Sequence, residues 1–205
     1  MNVDESIFKF KPILDEIRTA IGDACILEQN YFELAEFISI CREQKVTTVL
    51  EVGSRFGGTL RSWMKLLPTT HLVTVDKPWE EVTGTQELPE LRKEREARWR
   101  TWLAPDQKLH CVWGSSHALE SLASVKNKIV EWGLNGFDMV FIDGDHTFEA
   151  AMRDIKAWAP KVKVGGLLCG HDREQEGVPE ALLQFLGAPP PKAAGTIWFA
   201  VREGK

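Results

Sequence analysis

The stretch VLEVGSRFGGTL, residues 49–60, carries the transition that decides the fold. It finishes a β-branched run, VTTVLEV over residues 46–52, and then breaks at Gly53, Gly57 and Gly58. From Thr59 to residue 67 the apolar positions recur at helical spacing. A strand, a tight glycine turn and a helix are the reading. Before it, residues 29–44 place Phe32, Ala35, Phe37, Ile38 and Ile40 at helical spacing, with Glu33, Glu36, Arg42 and Glu43 on the polar faces. After it come LVTVD (72–76), LHCVW (109–113), FDMVFID (137–143), GGLLCG (165–170) and TIWFAV (196–201), most of them separated by helix-length stretches. Strands that alternate with helices predict an α/β domain whose mostly parallel sheet is covered on both faces.

Bulk properties limit what such a domain can do. At 205 residues the chain suits one domain with one sizeable core. Its 30 acidic side chains outnumber 25 basic ones, for a net charge of −5, so nothing general attracts a nucleic acid backbone. Cys25, Cys41, Cys111 and Cys169 are widely spaced and form no CxxC pair, which points to reduced thiols in a cytoplasmic protein rather than a disulfide scaffold or a zinc site. The opening residues, MNVDESIFKFKPIL, mix charges with apolar residues and form neither a secretory nor a spanning segment, so no membrane role is expected. One segment breaks the rhythm. Residues 78–105 form a charged helical insert with Trp99 and Trp102 close together, readable as a solvated helix packed on the body or as a lid over a ligand.

In a sheet of this kind ligands bind beyond the carboxyl ends of the strands. That rule collects Glu51, Asp76, Ser115, Ser116, Asp143, Asp145, His146, His171 and Asp172 on one rim. The glycine turn permits close backbone approach, but the spacing is not GxGxxG and no Lys followed by Ser or Thr completes a phosphate loop. A nicotinamide oxidoreductase is disfavoured on that ground. Glu51 would attract a cationic group, and Asp76, just over 20 residues past the turn, could accept both hydroxyls of a ribose. A ligand with an ammonium end and a ribose fits S-adenosylmethionine.

On these residues the sequence resembles the class I S-adenosylmethionine-dependent methyltransferases, with ExGxxxG as EVGSRFG, the acidic strand end as LVTVD, and GSS at 114–116. The pair IDGDH and GHD within residues 141–172 further resembles the small-molecule O-methyltransferase branch that includes macrocin O-methyltransferase and cephalosporin-hydroxylase-like proteins. That resemblance implies a doubly wound, Rossmann-like, mostly parallel sheet of six or seven strands with the last antiparallel, in a single domain over 1–205 whose first 45 residues form a helical segment. It implies a cofactor site of Glu51, Gly53, Ser54, Gly57, Asp76, Gly114, Ser115, Ser116 and Asp143. The expected reaction is methyl transfer to a hydroxyl of a small molecule, a sugar or natural product; a homodimer is compatible with it. Arg173 stands where the branch often has an aromatic residue, and little room is left for a further strand before the last one.

Two ways of activating the acceptor are open. Asp143 and Asp172, with Asp145 near them, would offer hard oxygen ligands to Mg²⁺ or another divalent cation. His146 or His171, with Asp143 beside them, would instead act as catalytic groups that take the acceptor's proton. Simpler roles compete with these: Asp145 can cap the following helix, His146 can hydrogen-bond a carbonyl, Asp76 can cap a helix, and two histidines with a carboxylate could form an iron site. A non-catalytic cofactor-binding or partner-binding domain of the same fold is the alternative to an enzyme.

Overall fold

In the computed structural model, which describes residues 3–21, 26–77, 89–188 and 195–204, the apolar runs become six strands in one sheet. They are β1 (Thr48–Val52), β2 (His71–Asp76), β3 (Lys108–Trp113), β4 (Phe137–Ile142), β5 (Val162–Gly170) and β6 (Trp198–Val201). The spatial order is β3-β2-β1-β4-β5-β6, with every pair parallel except β5 and β6. β1 and β4 are buried along their whole length, as strands covered on both faces must be.

Helices α1 (Val3–Ile21), α2 (Tyr31–Glu43) and α3 (Gly58–Leu66) cover one face. α5 (Leu119–Glu131), α6 (Phe148–Trp158) and α7 (Val178–Leu186) cover the other, and α4 (Pro89–Arg100) stands between β2 and β3 in the chain. Strand pleating splits the core in two. On β1, Val49 joins the apolar cluster under α1 to α3 with Phe37, Trp63 and Phe141, while Leu50 and Val52 join the cluster under α6 and α7 with Ile155, Trp158 and Leu182. Trp99 and Trp102 are buried in the first cluster, so the charged insert packs its tryptophans on the body. Its residues 78–88, which the lid reading needs, lie outside the described residues, as does Cys25.

The two ends of the sheet differ in what their polar groups do. At the amino end, Asp138 accepts hydrogen bonds from the backbone N–H of Thr47 and Thr48 and from the Thr47 hydroxyl, and pairs with Lys163, which ties β4 to the entry of β1. Those bonds are structural. At the carboxyl end the chain leaves β1 for β2 and β3 on one side and returns to β4 on the other, opening a crevice at the switch point. Among the described residues no helix is long and apolar enough to cross a membrane.

Candidate active site

The crevice is a cleft of about 760 Å³ at the carboxyl ends of the strands. Gly53 lies at its base with φ 86°, and a Cβ there would come within 1.9 Å of the Asp143 carbonyl oxygen. The glycine is required because the turns after β1 and β4 cross in contact. Asp76 lines the cleft at the end of β2, where its Oδ2 accepts the Arg55 backbone N–H at 2.8 Å. Gly114 and Ser116 line it from the loop after β3, with His117 beside them.

Four of the expected cofactor residues face elsewhere. Glu51 is fully buried: pleating points it to the same side as Val49, where its Oε1 accepts from the Thr59 hydroxyl at 2.9 Å and its Oε2 from Trp63 Nε1 at 2.5 Å. Burial pushes its carboxyl up to about 8, so at neutral pH it is chiefly the uncharged acid and not a counter-ion in the cleft. Ser54 is buried too, its hydroxyl 2.5 Å from that of Thr74. Gly57, with φ 85°, makes room for an aromatic ring, since a Cβ would stand 2.3 Å from Trp99 Nε1. The Ser115 hydroxyl turns to His117 at 3.2 Å, outside the cleft lining.

At the other side of the crevice Asp143, His146 and Asp172 come together, each offering a ligand atom within 4.8 Å of the others. Asp143 leaves β4, and its Oδ2 accepts from Gln29 Nε2 at 2.6 Å. Burial raises its carboxyl to about 6, against the opposing pull of His171. Asp172 follows β5 in a left-handed conformation, φ 58°, that turns its nearly buried carboxylate into the cleft. Its Oδ2 holds His146 Nε2 at 2.7 Å, and its Oδ1 faces His171 Nδ1 at 3.0 Å. Burial alone would raise the Asp172 carboxyl, but His171 and His146 outweigh it and hold it below the usual range.

His171 does not fit the role of a free base. Its Nε2 lies 2.7 Å from Glu33 Oε1 and 3.0 Å from the Thr196 hydroxyl, and its Nδ1 is taken by Asp172. Burial lowers its pKa, yet Asp172 and Glu33 together carry it to about 10, so it stays an imidazolium clamped between carboxylates. His146 keeps Nδ1 clear of hydrogen bonds among the described residues, with about a third of its side chain exposed. Asp145 is exposed and closes a local turn, accepting from the Thr147 N–H at 2.9 Å and hydroxyl at 2.8 Å.

A family model described as a methyltransferase domain matches residues 50–173, which span β1 through the turn after β5. The chain belongs to the methyltransferase-domain family. Solved methyltransferases share the fold. CalS11, a calicheamicin methyltransferase, superposes with TM-score 0.63 at 14% identity, covering 98% of this chain and 93% of that one. MycE of the mycinamycin pathway, in complex with Mg, S-adenosylhomocysteine and mycinamycin VI, gives 0.59 at 17% identity; the match covers 94% of this chain but 54% of MycE. An O-methyltransferase from Bacillus cereus in complex with S-adenosylhomocysteine gives 0.52 at 14%, covering 91% and 79%.

Three side chains of this methyltransferase cleft were not foreseen from sequence. Gln29 lies just before α2 and Glu33 in its first turn, both outside the matched residues, and nothing in their spacing announces that they reach Asp143 and His171. Asp154 on α6 did leave a signal. It lies among the buried positions of a helix whose Ala151, Met152 and Ile155 are core, and it is itself 4% exposed.

Proposed function

We propose that this chain transfers the methyl group of S-adenosylmethionine to a hydroxyl of a small molecule, a sugar or natural product. The observation that carries this reading is the convergence of Asp143, His146 and Asp172 within 4.8 Å at one side of the cleft. Strand order sets that cluster, on β4 and β5, across β1 from Asp76 on β2. A donor whose ribose is held by Asp76 therefore has its reactive end directed to the cluster. The named acceptor chemistry of the relatives agrees, since CalS11 is described as a TDP-rhamnose 3′-O-methyltransferase.

The sulfonium of the donor supplies a good leaving group, so the protein's work is positioning and proton removal. Asp172 Oδ2 accepts from His146 Nε2, which fixes the ring and presents Nδ1 to the acceptor. As the acceptor oxygen bonds to the methyl carbon, the carbon–sulfur bond electrons pass to sulfur and the hydroxyl proton passes to Nδ1. Two carboxylates with an imidazole also fit a divalent cation, and Asp143 and Asp172 would hold it. When bound it would lower the pKa of an acceptor hydroxyl. The free thiols of Cys41, Cys111 and Cys169 suit a reducing compartment, and we place the protein in the cytoplasm.

Incubation with S-adenosylmethionine and a panel of hydroxylated sugars and natural products, read by mass, should yield a product heavier by one methylene. His146→Ala should lower turnover by about 10²- to 10⁴-fold, the usual worth of a positioned base. If His146→Ala is as active as the wild type both with Mg²⁺ and after chelation, neither route of acceptor activation survives.

A further inference from the structure

Glu33 is a carboxylate on the buried side of a helix. It stands in the first turn of α2, one and two turns before Phe37 and Cys41 of the core, and is itself 5% exposed. A carboxylate so placed is costly unless its oxygens are engaged. Both are, by parts of the chain far from α2. Oε2 accepts the Thr196 backbone N–H at 2.9 Å, and the chain passes so close there that a Cβ on Gly195 would collide with it. Oε1 meets His171 Nε2 at 2.7 Å and the Thr196 hydroxyl at 3.2 Å. One oxygen therefore holds the backbone that enters β6, and the other reaches toward the cleft.

His171 carries that contact inward. Its backbone is fixed on both sides, the N–H donating to the Ile142 carbonyl at 3.1 Å and the carbonyl accepting from Trp198 Nε1 at 3.2 Å. Its ring spans two carboxylates, with Nε2 on Glu33 and Nδ1 3.0 Å from Asp172 Oδ1. A ring held at both nitrogens keeps one orientation. Asp172 has Oδ1 engaged by His171 and by Gln175 Nε2, and Oδ2 2.7 Å from His146 Nε2. Glu33, His171, Asp172 and His146 thus stand in one file from α2 to the acceptor's edge. Resting on the methyl-transfer reading above, we propose that Glu33 is a positioning residue for acceptor activation. It fixes His171, which sets the plane of the Asp172 carboxylate and through it the tautomer and aim of His146. Glu33 does not line the cleft, so it works only along this file. His146 Nδ1 can take a proton from the acceptor only while Nε2 carries the ring's hydrogen and donates it to Asp172. Without Glu33 the His171 ring is held on one side, Asp172 can turn, and the His146 hydrogen divides between the two nitrogens.

The test is a double-mutant cycle on the whole chain, read by methyl transfer. Glu33→Ala should lower kcat by about 10- to 100-fold, the usual worth of an outer partner that orients a working side chain. KM for the acceptor and affinity for S-adenosylhomocysteine should stay as in wild type. In a His146→Ala background the same substitution should cost nothing further, because the group it positions is gone. Equal losses in the two backgrounds would mean that Glu33 merely braces Thr196 and β6, which overturns the proposal. Nitrogen-15 NMR of histidine-labelled protein, in buffer well above the ordinary imidazole range, gives a readout that needs no acceptor. His146 should hold its hydrogen on Nε2 in wild type and divide it between both nitrogens in Glu33→Ala; an unchanged tautomer also overturns the proposal. Should Glu33→Ala not fold, Glu33→Met fills the volume without offering an acceptor and carries the same expectations. Absence of methyl transfer by wild type is a different result: it removes the reading above, while the tautomer still decides whether Glu33 orients His146.

Discussion

Glu51 shows how one side chain's direction decides its role. It follows the alternation of β1 into the core, where Thr59 and Trp63 hold it, and burial lifts its carboxyl to about 8. A carboxyl raised on folding favours the folded state fully below its ordinary pKa, and that contribution fades as pH climbs through the folded value. Wild type should therefore lose stability between about pH 4.5 and pH 8 relative to Glu51→Gln, whose amide has no such titration. Urea unfolding of both proteins at the two ends of that window measures the difference. The same variant should bind S-adenosylhomocysteine as wild type does, whereas a carboxylate that held the ligand's ammonium would be missed. Asp76 is the contrasting case. It lines the cleft at a strand end, and Asp76→Ala should weaken S-adenosylhomocysteine by on the order of 1.5 to 3 kcal/mol, the range for a hydrogen bond to a charged group. Unchanged affinity in calorimetry would remove it from the ribose site.

At the scale of elements, the cleft depends on two turns touching. Gly53 after β1 and Asp143 after β4 approach so closely that Gly53→Ala would drive its Cβ into the Asp143 carbonyl in a backbone conformation that disfavours side chains. Strain of that kind costs at least about 1 to 3 kcal/mol, so the midpoint of denaturation should fall and ligand binding should weaken with it. A variant of wild-type stability and affinity would mean the turns can part freely. The same contact explains what the sequence could and could not disclose. Strand ends are legible because an apolar run that stops at Asp76, Asp143 or Gly170 marks the rim directly. Which way Glu51 and Ser54 turn was not, since both stand beside the rim and only pleating against α3 and β2 separates core from cleft. Nor was Glu33, which meets His171 and Thr196 across 138 and 163 residues of chain, contacts that exist only once α2 docks on the sheet.

Over the whole molecule the sheet divides the labour of the site between its halves. β1 to β3 carry Gly53, Asp76 and the loop from Gly114, while β4 and β5 carry Asp143, His146 and Asp172. On the function proposed above, donor binding and acceptor activation rest on separate strands joined at the β1–β4 switch point. A ligand that binds only the folded chain stabilises it by about 2.7 kcal/mol at a hundred times its Kd. For a chain of this size each kcal/mol is worth roughly 2 to 4 °C, so saturating S-adenosylhomocysteine should raise Tm by about 5 to 11 °C. Chelation should leave that shift intact and, if Asp143 and Asp172 hold a required cation, abolish methyl transfer, because neither Asp76 nor Gly53 belongs to the carboxylate cluster. A thermal shift that vanishes with chelator would show the halves to be coupled through the ion. A shift with NAD and none with S-adenosylhomocysteine would place a different nucleotide across the switch point and end the methyl-transfer reading.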